Sequence, residues 1–171
     1  MHRRTLLQSM VAFAALPLMP RLARSASQPI NVLIPPLHKA HGEWQKLLPP
    51  AAYNVLFEEG TERAFTSPLL NEHRVGTFVC AACLLPLFSS ASKFESGTGW
   101  PSFTQSIAGH TAFKDDYKLI EKRTEYHCAR CGGHQGHRFD DGPQPRGERW
   151  CNNGVALNFI AKGQQLPALR T

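Results

Sequence analysis

This chain is short of several things, and each shortage excludes something. No long stretch of helical periodicity runs through its 171 residues, while 13 Gly and 13 Pro punctuate it. That favours a loop-rich, mostly β domain. Charged residues make up only 19% and hydrophobic ones 42%, the balance of a globular chain with enough length for one real core. The formal charge of +6 is local in origin. Arg3, Arg4, Arg21 and Arg24 supply four of those charges from a segment, residues 1–25, that holds no acid. Beyond it the chain is close to neutral, so there is no electrostatic case for nucleic acid as a partner. Finally, there is no sixth cysteine. Five is an odd number, and one thiol must be left over.

The N-terminus, "MHRRTLLQSMVAFAALPLMPRLARSAS", has a basic start, an apolar stretch from Leu6 to about Met19 and a small-residue end. That is the layout of an export signal. The apolar stretch of about 14 residues is too short for a hydrocarbon core of about 30 Å, and Pro17 and Pro20 oppose a spanning helix. An uncleaved N-terminal anchor is the alternative. Arg3-Arg4 before Thr5-Leu6-Leu7 resembles the twin-arginine signal. Arg21 and Arg24 fit that route, with cleavage expected after Ser25 and a bacterial periplasmic location for the mature chain. Residues 26–40 read as a linker, or as a strand leading into a proline turn.

In "EWQKLLPPAAYNVLFEEGTE", Leu47 and Leu48, then Tyr53, Leu56 and Phe57, fall at helical spacing. The pattern predicts a short helix before residue 49 and a second over about 50–59, with proline at its start and Gly60 as its stop. From Thr77 onward short β-like runs alternate with turns: "TFVCA", "PLFSS", "KFES", "AFKDDY", "RTEYHCA", "HRFDD", "RWCNN" and "VALNFIA". "SGTGWPSF" and "DDGPQPRGER" read as loops. The expected core is an antiparallel sheet system with helices on its N-terminal side.

Cys80 and Cys83 form one CxxC and Cys128 and Cys131 another. Two intervening residues let both sulfurs of a pair face one ion, and four thiolates make a closed tetrahedral zinc site. Disulfides are the ordinary fate of paired cysteines in an oxidising compartment, and a redox CxxC is a further alternative. The repeated spacing favours one structural Zn2+. The 44 residues between the pairs exceed the usual ribbon spacer of about 15–20, so zinc would staple the ends of a large part of the domain.

Cys151, in "RWCNNGVALNF", is the thiol left over. By itself it reads as a small buried hydrophobe. Its neighbours argue for chemistry. On a strand, Arg149 and Asn153 would share its face. A guanidinium favours thiolate over thiol, and an amide can donate to a substrate oxygen. His134 and His137, in "HQGH", are acid–base candidates near neutral pH. Trp100, on a glycine-bounded loop, can wall an apolar group.

Together "GTERAFTSPLL", "GTFVCAACLLPLFSSASKFESGTGWPSF", "CARCGGHQGHRFDDGP" and "RWCNNGVALNF" resemble the B-type methionine sulfoxide reductases, specific for the R epimer, from about residue 44 to 160. The resemblance implies two antiparallel β-sheets with a few peripheral helices, over a domain at 41–165, and zinc on the two CxxC pairs. It implies Cys151 as nucleophile, Trp100 against the substrate methyl, and His134 and His137 holding water and the sulfoxide oxygen. Arg149 and Asn153 would tune the thiolate and the hydrogen bonding, and Asp141 would support them from behind. Attack by a thiolate on the activated sulfoxide leaves methionine and a cysteine sulfenic acid. Local positive charge from Arg149 and the histidines is expected to help form that thiolate.

The chain departs from the family pattern at several positions. Thr98 stands where many members carry a resolving cysteine. The expected enzyme is therefore of one-cysteine type, working on oxidised proteins or peptides, with a thioredoxin-like, glutaredoxin-like or small-thiol reductant. Trp150 replaces a smaller aromatic or histidine, and Asn152, Gln135 and Arg138 replace mostly apolar residues. If Cys151 faces the site, Asn152 faces away. A monomer is expected. The rival of another class is a zinc-pinned β-fold ligand-binding module without redox activity.

Overall fold

The computed structural model describes residues 34–117 and 123–171. The expected export signal lies outside them, as do residues 26–33 of the expected linker. The rest of that linker is engaged with the domain. Ile34 and Leu37 pack against the core, and the Leu37 N–H donates to Arg130 O at 2.6 Å.

Helix α1 covers His41–Leu47 and helix α2 Pro50–Glu58. Pro50 opens α2 where its missing N–H costs nothing. Ala52, Val55 and Leu56, at helical spacing, turn inward and are buried. Trp44 of α1 stacks on Phe57 of α2 with ring centroids 5.1 Å apart. The stop differs by one residue from expectation. Glu59 takes the left-handed conformation (φ 51°), and the Gly60 N–H closes the end on Asn54 O at 3.0 Å. Among the described residues no helix is long and apolar enough to cross a membrane.

Among the described residues nine strands follow: β1 Gly76–Cys80, β2 Pro86–Ser89, β3 Lys93–Phe94, β4 Ser102–Phe103, β5 Thr111–Asp116, β6 Arg123–Cys128, β7 His134–Phe139, β8 Arg149–Asn152 and β9 Leu157–Ala161. They form two antiparallel sheets, β2-β1-β9 and β3-β4-β8-β7-β6-β5. Two stretches differ from the sequence expectation. "SGTGWPSF" ends in β4, whose Ser102 pairs with Cys151 and Phe103 with Trp150. The strand expected at "HRFDD" begins earlier, at His134, and stops before Asp140.

The sheets meet through aromatic rings. Phe78 and Phe88 from the smaller sheet pack on Phe103, Tyr126 and Trp150 from the larger; Phe88 and Phe103 stack at 4.1 Å. Phe78, Phe88, Phe103 and Tyr126 are fully buried. Each such side chain contributes roughly 1.5–3 kcal/mol of burial. Trp150 points into this core, so by strand alternation Cys151 points to the other face of the larger sheet.

Candidate active site

Strand register places the outer-face residues beside one another. Ser102, Cys151, His137, Glu125 and Lys114 are successive cross-strand partners from β4 to β5. Next to Cys151 only glycine fits on the neighbouring strand: a Cβ on Gly136 would lie 1.9 Å from Cys151 O. A cavity of about 110 Å³ opens over this row, lined by Cys151, Trp100, His137, Arg123, Phe139 and Asn153 among others.

Cys151 is partly buried and its sulfur has two polar neighbours, the Thr98 hydroxyl and the Arg149 guanidinium. Both favour the thiolate, but burial outweighs them and the thiol is held above its ordinary value. The expected help from Arg149 is there, but it does not bring the thiol below its ordinary value. Arg149 is already committed: its Nε and Nη2 bind the two Asp141 oxygens, each at 2.8 Å, and its guanidinium lies over the Phe139 ring at 4.2 Å. The Asp141 carboxyl is pulled below its usual range by that bond, and its negative charge pushes the Cys151 thiol up.

His137 is held by its Nε2, 2.8 Å from Asp116 Oδ2, and the same oxygen accepts from Arg123 Nη2 at 2.6 Å. Burial pushes the His137 pKa down, and the Asp116 hydrogen bond pulls it part of the way back. His134 is placed differently from His137. Two residues, His134 and Gln135, sit where the register of β6 against β7 shifts between Tyr126 and His127. That bulge brings the two imidazoles, three residues apart, to a centroid separation of 5.5 Å. His134 itself is buried, with Nδ1 3.1 Å from Glu125 Oε1, and lines a second cleft of about 350 Å³ rather than the Cys151 cavity.

Asn153 does not share a strand face with Cys151, because β8 ends at Asn152 and Asn153 instead caps the turn Gly154–Ala156. Its Oδ1 accepts from the Glu62 N–H at 2.9 Å and its Nδ2 donates to Gln135 O at 3.0 Å. It borders the cavity from this fixed position. Trp100 is half-buried, with its indole N–H donating to Glu62 O at 2.9 Å. Glu62 thus ties the tryptophan loop to the segment after Cys151. Its Oε2 also accepts from Gly154 N–H and Val155 N–H, at 2.6 and 3.3 Å. Glu62, Asp116 and Arg123 carry no sign of these roles in their own sequence neighbourhoods; Glu62 acts across 91–93 residues and Asp116 on His137 across 21, while Arg123 meets Asp116 across the β5–β6 pairing.

The four paired cysteines converge elsewhere. Cys80 and Cys83 lie at the end of β1 and in its turn, Cys128 and Cys131 at the end of β6 and in its turn. The two turns match: Leu84 N–H donates to Cys80 O and Gly132 N–H to Cys128 O, both at 2.9 Å. Leu84 and Gly132 both have positive φ. All four sulfurs lie within 4.8 Å of one another. Cys80–Cys131 and Cys83–Cys128 stand 3.7 and 3.4 Å apart. A disulfide needs about 2.05 Å, whereas sulfurs about 2.3 Å from a tetrahedral zinc sit close to the observed spacing. The donor set fits such an ion.

Comparison with known proteins agrees with this layout. The SelR domain family matches residues 48–161. Over 124 residues the chain is 48% identical to the peptide methionine sulfoxide reductase MsrB of Methanosarcina barkeri, covering 72% of this chain and 87% of that protein. It is 47% identical to the MsrB of Leptospira interrogans, covering 72% and 95%. It is 46% identical over 123 residues to the chloroplastic peptide methionine sulfoxide reductase B1 of Arabidopsis thaliana, covering 71% and 61%.

Proposed function

Because the chain belongs to the MsrB family and is an oxidoreductase acting on methionine sulfoxide, we propose that it works through a single redox cysteine, Cys151. The carrying observation is the isolation of that thiol in the Trp100–His137 cavity, with a threonine hydroxyl rather than a second thiol at its side. The bound methionine-R-sulfoxide places its methyl against Trp100. With Nε2 committed to Asp116, His137 uses Nδ1 to take the Cys151 proton and pass it to the sulfoxide oxygen. The Cys151 sulfur attacks the sulfoxide sulfur, and the oxygen transfers to cysteine. The sulfoxide sulfur is reduced by two electrons, Cys151 is oxidised by two, and its proton ends on the sulfenic acid oxygen. Two equivalents of an external thiol then restore Cys151, giving a disulfide of the reductant and water.

A zinc ion on Cys80, Cys83, Cys128 and Cys131 would supply structural cohesion and no redox chemistry. Export by the twin-arginine route to the periplasm belongs to the same proposal and rests on residues 3–25 alone. A monomeric state is part of the proposal as well. A non-redox binding module is set aside, since every relative above bears the name of a reductase.

The test is turnover of peptides carrying R- or S-methionine sulfoxide with dithiothreitol. The R peptide should be reduced and the S peptide untouched. Equal use of both, or full activity in Cys151→Ser, would overturn the reading.

A further inference from the structure

Gln135 and Asn152, two polar residues at buried positions of β7 and β8, prove to be partners. Both are fully buried, and Asn152 Nδ2 donates to Gln135 Oε1 at 3.4 Å. At its other end the same Gln135 amide donates from Nε2 to Cys80 Sγ at 3.6 Å. The main-chain oxygen of Gln135 accepts from Asn153 twice, from N–H at 2.9 Å and from Nδ2 at 3.0 Å. Asn152 Oδ1 accepts from the Tyr126 hydroxyl at 2.7 Å, and that hydroxyl lies 3.3 Å from Cys151 O. Lastly, the Asn152 N–H donates to Pro101 O at 2.9 Å, next to Trp100. One residue, sitting at the bulge of β7, therefore touches a sulfur of the four-cysteine cluster and holds both residues that follow Cys151.

Two apolar side chains would fill this space without any polar atom to satisfy. Burying two amides and a phenol is tolerable only if each finds partners, and here each does. A fully satisfied buried network admits one arrangement of its members. An amide N–H on a metal-bound thiolate is also a charge-assisted bond whose geometry depends on the metal being there.

We infer that Gln135 is a positioning residue that couples the four-cysteine centre to the strand carrying Cys151. Its bond to Cys80 orients the amide. The amide then sets Asn152, and through it the Tyr126 hydroxyl beside the Cys151 carbonyl and the Pro101 end of the Trp100 loop, while the main-chain oxygen of the same residue holds Asn153. This rests on the reading of Cys151 as nucleophile and of the four cysteines as a metal site.

The test uses the full chain loaded with Co2+, whose bands from thiolate-to-metal charge transfer report the sulfur's surroundings. Gln135→Leu should move that band to lower energy, because a sulfur lone pair loses its N–H donor. It should also cut kcat at least fivefold with KM for a sulfoxide peptide within twofold. Asn152→Val should match the loss of kcat while leaving the band in place, and the double variant should lose no more than either alone. Gln135→Met, which keeps the length but not the amide, should behave as Gln135→Leu and stands in for it if leucine does not fold. Parental kcat in the Gln135 variants, or additive losses in the double variant, would overturn the coupling. Failure of the parent to bind cobalt, or turnover by Cys151→Ser, would instead remove the reading beneath it.

Discussion

At Cys151 burial and charge oppose each other, and burial wins. The thiol is held up despite Arg149, first because burial takes water from the sulfur, with the Asp141 charge a smaller push in the same direction. Iodoacetamide labelling of the free enzyme should therefore rise with pH and reach its midpoint above the ordinary thiol value of about 8.5. In Asp141→Asn the midpoint should fall, because the negative charge that raises the thiol is gone. A midpoint that stays put would mean that Asp141 only steers the guanidinium. Cys151→Ser should lower turnover by about 1000-fold or more, since a hydroxyl in the same place is a far weaker nucleophile. His137 gives a second pH signature. Its folded pKa is pushed down, so the unfolded state binds more protons below the ordinary histidine value of about 6.5. Stability should then fall as pH drops through that value and level off below the folded pKa. A His137→Asn variant with the same acid profile as the parent would remove this histidine as the cause.

At the scale of elements, a bulge and a loop build the site. The bulge in β7 brings the His134 ring to within 5.5 Å of His137, which alone of the two lines the Cys151 cavity. The Ser96–Pro101 loop brings Thr98 to the Cys151 sulfur and Trp100 to the cavity wall. Proximity of residue 98 makes Thr98→Cys informative. With stoichiometric substrate and no reductant, the parent should gain the mass of one oxygen atom and react with a sulfenic-acid reagent. The variant should instead lose two hydrogens and close a 98–151 disulfide, then turn over better with thioredoxin. A stable sulfenic acid in the variant would show that the loop does not present residue 98 for attack. The loop is anchored by Glu62, which binds Trp100, Asn153, Gly154 and Val155. Glu62→Ala strands two amide donors and should cost about 2 kcal/mol, read from the denaturation midpoint. An unchanged midpoint would mean that water replaces the carboxylate without loss.

For the molecule as a whole, the four-cysteine cluster joins the sheets. Cys80 closes a strand of the smaller sheet and Cys128 a strand of the larger. Metal analysis after exhaustive dialysis should find about one zinc per chain. Chelation should then free the two sheets to separate. A loss of about 5 kcal/mol in a chain of this size would lower Tm by roughly 10–20 °C. A Tm indifferent to chelator would leave the aromatic layer around Phe88 and Phe103 as sufficient on its own.

The sequence alone carried whatever depends on near neighbours along the chain. CxxC spacing brings two sulfurs together within a turn, so the four-cysteine cluster was legible before any fold. Strand alternation was enough to put Arg149 beside Cys151 and to send Asn152 to the opposite face, where it lies buried. The same alternation misled at Asn153, because where a strand ends is decided by packing and by the turn that follows. The partners of Glu62 and Gln135, and the His137 partner of Asp116, stand far away in the chain, and only tertiary structure could choose them. The state of the Cys151 thiol was beyond the sequence for a further reason. A nearby arginine is visible in a string of residues, but the loss of water around a sulfur exists only once the chain has closed over it.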